Sequence, residues 1–312
     1  MPFFSIIIPL YNKEKFIGRT IQSVLAQNGS DYEIVIVNDC STDRSVEVAQ
    51  QYAAPNIRII EHAQNRGLSA ARNTGIRHAT ADYIAFLDAD DLWKPGYLSK
   101  IRSLIDAFPV ARLFATHYEE LYPGGVTVLP ATNLKNWDRD GIVPDFFDSS
   151  LGQPIYFPGS LCVHRSVFGQ IGDFDETITY GEDVDFNIRA NSVYKLAYSA
   201  TALVTYTMVS QNQITQSSLS HKKLTDFDVY EPAAALYPAL KRYLDFNRYI
   251  MAIGYKIEGD RLRFEALKKA IDPKSLNRRQ WFLLNAPVLL TRKIKQFKSF
   301  LLRSGFRFTT ID

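Results

Sequence analysis

Cysteine is scarce in this chain, with two in 312 residues, Cys40 and Cys162. Two isolated cysteines make neither the disulfide framework of a small secreted scaffold nor the clustered thiolates of a zinc site. They read as plain structural residues in a chain suited to a reducing compartment. Long apolar runs are missing as well: nothing approaches the roughly 18 to 20 uninterrupted apolar residues that a membrane-spanning helix needs. The apolar opening from Phe3 to Leu10 has no basic region before it and no small-residue cleavage site after it. It reads as a buried first strand rather than a signal peptide, and the expected location is cytoplasmic, in solution or peripheral at the inner face of the cell membrane. Internal repeats and low-complexity tracts are absent too.

What is present is the composition of a soluble globular protein, 46% hydrophobic and 22% charged, long enough to bury a substantial core. The first part alternates short β-branched runs with helical patterns: "FSIII" before 13–27, "YEIVIV" before "STDRSVEVAQQYA", "IRII" before "LSAARNTGIRHA", and "YIAFL" before "PGYLSKIRSLIDAF". Strands that are almost wholly apolar and separated by helices predict an open α/β domain, a mostly parallel sheet covered on both faces. Ser41, Thr42 and Asp43 are capping candidates, and Pro95 suits a first helical turn. After Phe108 the alternation loosens. "ARLFATHYEELYPGGVTVLP" predicts two strands around a Pro-Gly-Gly turn, and 159–189 predicts a strand, a turn and a helix. Domain limits are expected at about 1–220 for a catalytic unit, with a nucleotide side to about 110 and an acceptor side beyond, and 221–312 for a basic helical region. Charge supports the division: 17 of the 36 Lys+Arg but 6 of the 33 Asp+Glu lie from Lys241 onward, +11 there against −8 before it.

Three acidic turns fall where strands end: "VNDCSTD", "LDADD" and "YGEDVDF". Open α/β sheets bind ligands beyond the carboxyl ends of their strands, so convergence of these turns would form one acidic pocket. Carboxylates as close as Asp88, Asp90 and Asp91 repel unless something positive offsets them. Hard oxygen ligands at such a spacing suit Mg²⁺ or Mn²⁺, with substrate phosphates and water completing the shell. Asp90 is the leading metal ligand, with Asp88 and Asp91 supporting. An Asp-x-Asp pair alone is common in surface loops, so a solvated acidic turn is the competing reading.

In order and separation, "SIIIPLYNKEKFIGRTIQSVLAQ", "EIVIVNDCSTD", "NRGLSAARNTGI", "YIAFLDADD" and "GEDVDF" resemble the nucleotide-sugar-binding half of family 2 glycosyltransferases with the GT-A fold, from about Phe4 to Met208. The resemblance implies that Pro9, Tyr11 and Asp39 cradle the nucleotide of a donor, a uridine diphosphate sugar first. Tyr11 offers a stacking face and Asp39 an acceptor, or else Asp39 caps a helix. Cys40 stands where a glycine is frequent. Arg72 and Asn73 are implied at the same crevice, with Arg72 either on the diphosphate or paired internally with an acid of the "DADD" turn. The resemblance makes Asp183 the general base with Glu182 beside it, at a helix start whose N–H groups keep the carboxylates ionised. The plain alternative is that these acids only cap that helix. Asp185 and Arg189, four apart, are an expected ion pair. His164 and Arg165 sit in a segment similar to the acceptor side and could meet an acceptor, though a lone His or Arg before a helix is more often structural; His117 and His221 carry less. No "QxxRW" motif follows the base, which points to one sugar per encounter.

The rival readings are a nucleotidyltransferase, which would need a Gly-rich basic loop where "PLYNKEKF" has no glycine before Gly18, and a nucleotide-sugar-binding protein without catalysis. The tail "WFLLNAPVLLTRKIKQFKSFLLRSGFRF" sets Trp281, Phe282, Leu289, Ile294, Phe297, Phe300, Leu301 and Leu302 among Arg292, Lys293, Lys295, Lys298 and Arg303. A helix of this pattern can lie on an anionic membrane surface, pointing to a glycan or lipid-linked acceptor in cell-surface polysaccharide biosynthesis. It can equally pack on the catalytic unit or a second subunit, so oligomerisation stays open. No nucleic-acid motif accompanies the basic residues.

Overall fold

The computed structural model describes residues 1–29, 31–208, 210 and 217–303, with side chains described to Phe297. Part of the polar "SQNQITQSSLS" stretch, the side chains of Lys298, Phe300, Leu301, Leu302 and Arg303, and residues 304–312 lie outside the described residues. The first part runs β1 (Phe4–Leu10), α1 (Ile17–Leu25), β2 (Tyr32–Asn38), α2 (Ser45–Gln50), β3 (Ile57–Glu61), α3 (Leu68–His78) and β4 (Tyr83–Phe86). Then come β5 (Leu92–Trp93), α4 (Tyr97–Ala107), β6 (Leu113–Leu121), β7 (Thr127–Val128), β8 (Asp140–Ile142), α5 (Phe146–Ser149), β9 (Leu161–His164), α6 (Ser166–Ile171), α7 (Glu182–Val193) and β10 (Leu196–Thr207). The C-terminal region is helical: α8 (Glu231–Ala234), α9 (Pro238–Glu258), α10 (Arg261–Ala270), α11 (Arg278–Asn285) and α12 (Val288–Arg303).

The strands form one sheet in the order β3-β2-β1-β4-β9-β6-β10-β5. β3, β2, β1 and β4 are mutually parallel, as are β6 and β10, while β9 is antiparallel to both its neighbours. The sheet is therefore mixed and mostly parallel, as expected, and β6 and β7 pair antiparallel around the Pro-Gly-Gly turn. Period-2 geometry divides β1 between two cores. Phe4, Ile6, Ile8 and Leu10 pack with α1 and α4, and Ile7 packs on the other face with residues of α3, α6, α7 and α9.

Local boundaries moved for reasons the side chains make plain. The helix expected from Lys13 begins only at Ile17, because Lys13 N–H donates to Ser45 Oγ (2.7 Å) and Glu14 N–H to Asp43 Oδ2 (3.1 Å). Ser41, Thr42 and Asp43 thus tie one turn to another, and Asp43 Oδ1 also accepts the N–H of Ser45, the first residue of α2, at 2.9 Å. Pro95 precedes α4, whose N-cap is the left-handed Gly96.

The C-terminal helices are anchored through α9. Its Leu240, Tyr243, Leu244 and Met251 join the core of the sheet face, and its Phe246, Tyr249 and Tyr255 form a second cluster with Phe264, Ile271 and Leu284. Asp245, fully buried, is satisfied by Lys241, Arg248, Ser275 Oγ and the N–H of Asp272.

α3 lies tight against β1 at Gly75, where an added Cβ would be 2.3 Å from Ile7 Cγ2. Gly75→Ala should therefore cost about 1–3 kcal/mol, the usual penalty for overpacking a dense core. A urea midpoint unchanged from wild type would show that α3 and β1 can separate freely.

Candidate active site

Parallel register carries the ends of β1, β2 and β4 to one edge of the sheet. Beyond β4, the acidic turn is fixed by its own backbone: Thr20 Oγ donates to the carbonyls of Ala89 and Asp91 (both 2.9 Å), and Thr207 Oγ to that of Asp90 (2.6 Å). Held this way, the three carboxylates diverge. Asp88 meets Arg72 Nη2 at 3.0 Å, and Asp90 Oδ2 meets Lys13 Nζ at 2.7 Å and also Ser210 Oγ. Asp91 turns inward, fully buried, and accepts the N–H of Thr207 at 2.8 Å. Burial, then the charges of Asp90 and Asp88, push Asp91 well above the usual carboxylate range. Asp91 thus lies beneath the turn, with one oxygen on the Thr207 N–H and the other buried without a hydrogen-bond partner.

Arg72 projects from α3 with 1% of its surface exposed, and its guanidinium spans two turns. Nη2 holds Asp88, Nη1 holds Glu182 Oε1 at 2.9 Å, and the ring of Phe174 lies 5.3 Å away. Of the two roles open to Arg72, the internal pairing is the one the geometry displays. Asn73 likewise faces away from the crevice: its amide donates to Phe174 O (2.8 Å) and accepts from Phe174 N–H (3.0 Å), buttressing the segment before α7.

α7 begins at a left-handed Gly181 (φ 80°), and Glu182 and Asp183 open its first turn. Asp183 Oδ1 accepts the N–H of Val184 at 2.9 Å. Burial, reinforced by the neighbouring charge of Glu182, outweighs Arg72 and the backbone N–H groups and pushes Asp183 up to about 6, which leaves the acid mostly ionised at neutral pH. Arg189 pairs with Asp185 Oδ2 at 2.7 Å, as the four-residue spacing predicts.

In the segment expected on the nucleotide side, Asp39 is 3% exposed and does not cap α2. Its oxygens accept the N–H groups of Arg66 and Gly67 (both 2.8 Å) and meet His62 Nδ1 at 2.7 Å, while His62 Nε2 reaches Thr74 Oγ at 2.9 Å. The carboxylate clamps the loop after β3 to the end of β2. Pro9 is buried inside β1 opposite Val37 and shapes the strand rather than the crevice surface. Tyr11, 41% exposed, keeps a free face. Cys40 adopts φ 62°, the left-handed region that explains why a glycine is at home there.

Several residues fall outside the site. His164 pairs with Tyr83 at the amino end of β4, away from the acidic turn, and Arg165 binds the carbonyls of Ala79 and Ala81. His117 lies within β6 and His221 is exposed. Residues that sequence reasoning missed are Lys13, His62, Thr20, Thr207 and Ser210.

Among the described residues no three His, Cys, Asp or Glu groups gather as a complete metal cage. Asp90 and Asp88 are hard oxygen donors, the ligand chemistry that a hydrated divalent ion with phosphate ligands of its own would take.

A family model described as glycosyl transferase family 2 matches residues 5–141. EpsJ of Bacillus subtilis (strain 168), an uncharacterised glycosyltransferase, is 52% identical over 193 residues, 61% of this chain and 56% of that protein. EpsH of the same strain, a putative glycosyltransferase, is 39% identical over 255 residues, 79% of this chain and 70% of that protein. The chain spans 56%, 20% and 40% of the lengths of the first three curated relatives it matches. Among solved structures, S. aureus TarS 1–349 in complex with UDP-GlcNAc aligns with a TM-score of 0.61 at 19% identity, over 91% of this chain and 79% of that one. The likeness shows the fold, that of a GT-A type glycosyltransferase.

Arg72 makes the site testable by stability alone. Arg72→Leu strands Asp88 and Glu182 without their partner and should cost about 3–5 kcal/mol, the range for breaking a buried pair. Arg72→Lys keeps the charge but loses the two-pronged reach and should fall between. Denaturation midpoints of Arg72→Leu within error of wild type would remove Arg72 as the link between the turns.

Proposed function

The chain belongs to glycosyltransferase family 2, and from that premise we propose that it moves one sugar from a nucleotide diphosphate donor to an acceptor hydroxyl, with inversion, in a metal-dependent single displacement. The observation that carries this reading is the bridge of Arg72 between Asp88 and Glu182. It sets a carboxylate whose proton affinity lies near neutral, Asp183, beside the turn suited to a diphosphate.

Tyr11 provides the stacking face for the base, and the loop clamped by Asp39 shapes the ribose side. A uridine diphosphate sugar is the proposed donor, supported by the fold shared with a protein held with UDP-GlcNAc. A divalent ion, Mn²⁺ or Mg²⁺, would be held by Asp90 with Asp88 and would neutralise the departing diphosphate, a role worth several kcal/mol. Asp183 takes the proton of the acceptor hydroxyl as it attacks the sugar carbon, and Glu182, fixed by Arg72, keeps Asp183 basic. Because the ionised form is the base, the transfer rate should climb as pH rises through about 6 and level off above it. Asp183→Asn should leave donor affinity close to wild type and lower transfer by about 100-fold or more. An Asn variant that retains most of its rate, or the same acidic limb, would unseat Asp183 as the base.

The acceptor is proposed to be a glycan or lipid-linked precursor of cell-surface polysaccharide, met at an anionic membrane surface. α11 and α12 bury Leu283, Leu284 and Thr291 inward and leave Phe282, Leu289 and Phe297 outward at 56%, 72% and 63% exposure, beside Arg278, Arg279, Lys293 and Lys295. Among the described residues no helix is long and apolar enough to cross a membrane, so the contact would be with a surface. Since α11 also shares a core with α9, outward substitutions test this better than truncation. Phe282→Glu with Leu289→Glu should abolish salt-sensitive pelleting with anionic liposomes while the melting temperature stays put; equal pelleting of variant and wild type would sink the membrane reading.

A further inference from the structure

Lys13 is a cation standing on the carboxylate that the proposed metal needs. Its Nζ lies 2.7 Å from Asp90 Oδ2 and 2.8 Å from Ser210 Oγ, and the Lys13 and Asp90 side chains are each 11% exposed. A pair this sheltered is screened little by salt. The lysine is not needed to shape the turn, because Thr20 and Thr207 already hold the carbonyls of Ala89, Asp90 and Asp91.

The backbone around Lys13 is fixed by hydrogen bonds, and the ammonium is carried on a stem of rotatable bonds. Lys13 N–H is held by Ser45, its carbonyl accepts the N–H groups of Phe16 and Ile17 (2.9 and 3.0 Å), and Asn12 is clasped by Ser41 and Thr42. What can relocate is a compact ammonium on a flexible four-carbon chain. Arg72, the other cation here, carries a carboxylate on each side and has no such freedom.

We propose that Lys13 is a built-in placeholder cation: its ammonium neutralises Asp90 until a divalent ion arrives together with the donor, and then passes to the diphosphate. A divalent ion arriving alone must displace an ammonium and leave it beside a dication, which is unfavourable on both counts. A diphosphate removes that obstacle by giving the ammonium a new partner. Metal and diphosphate therefore bind as a coupled pair, and by linkage each strengthens the other by the same factor. The proposal rests on the metal reading of Asp90 given above.

The test is Mn²⁺ binding to the full chain, followed by electron paramagnetic resonance and calorimetry, with Mn²⁺ alone and with Mn²⁺ plus UDP. In the wild type, UDP should raise Mn²⁺ affinity on the order of tenfold or more. Lys13→Met should bind Mn²⁺ alone on the order of tenfold more tightly than wild type, with a correspondingly smaller gain from UDP. Lys13→Arg, which restores a cation, should return metal affinity toward wild type, a rescue that a loss of packing would not produce. If Lys13→Met binds Mn²⁺ alone no better than wild type, or if wild-type affinity is the same with and without UDP, the placeholder is overturned while the metal reading stands. If neither protein takes up Mn²⁺ even with saturating UDP, the metal reading fails and the proposal with it.

Discussion

Arg72 has to keep a positive charge where water scarcely reaches it, and much of the site follows from how it does so. Removing a guanidinium from water costs several kcal/mol unless close carboxylates and hydrogen bonds offset the loss. The chain supplies Asp88 from the end of β4 and Glu182 from the start of α7, far apart in sequence and on opposite sides of the charge. Meeting that demand fixes the distance between the acidic turn after β4 and the turn that carries Asp183. Satisfying one buried ion thus places two functional elements at once. The fit of α3 against β1 at Gly75 brings the helix close enough for Arg72 to reach both.

The same economy governs the loops beyond β1, β2 and β3. Without a glycine between Pro9 and Gly18, the first loop takes its shape from left-handed Asn12 (φ 51°) and from side chains of the second loop. Asp39 acts on the third loop in the same manner. Side-chain to backbone hydrogen bonds between turns distant in sequence make an irregular surface rigid, which suits a ligand that must be oriented for reaction.

The sequence made the sheet legible because almost wholly apolar strands alternating with helices admit few other arrangements, and the ordered motifs placed the acidic turns at one edge. The division of labour inside each motif was not legible. Asp88, Asp90 and Asp91 are equivalent in a string, yet one faces an arginine, one a lysine and one the interior, and only the backbone path decides which. Asn73 follows Arg72 in the chain but points about a third of a turn away along α3, onto Phe174. Lys13 was hidden for a related reason: its partner Asp90 is 77 residues distant, and no local pattern announces a contact of that range.

The position of α9 links the surface of the protein to its chemistry. One side of this helix lies in the core that also holds Phe186 and Ile188 of α7, and Met251 Cε stands 3.3 Å from where a side chain on Gly181 would begin. Thr225 Oγ ties the Gly181 carbonyl at 2.8 Å. Any larger residue at Gly181 would meet both strain in its left-handed backbone and the methyl of Met251, so the start of α7 is held from behind. The other side of α9 carries α10 and α11, and Lys256 caps the carbonyls of Leu283 and Leu284 at the foot of the outward apolar face. That face and the turn bearing Asp183 are therefore joined through one packed helix. Packing of this kind ties the start of α7 and the helix α11 to the same support, α9.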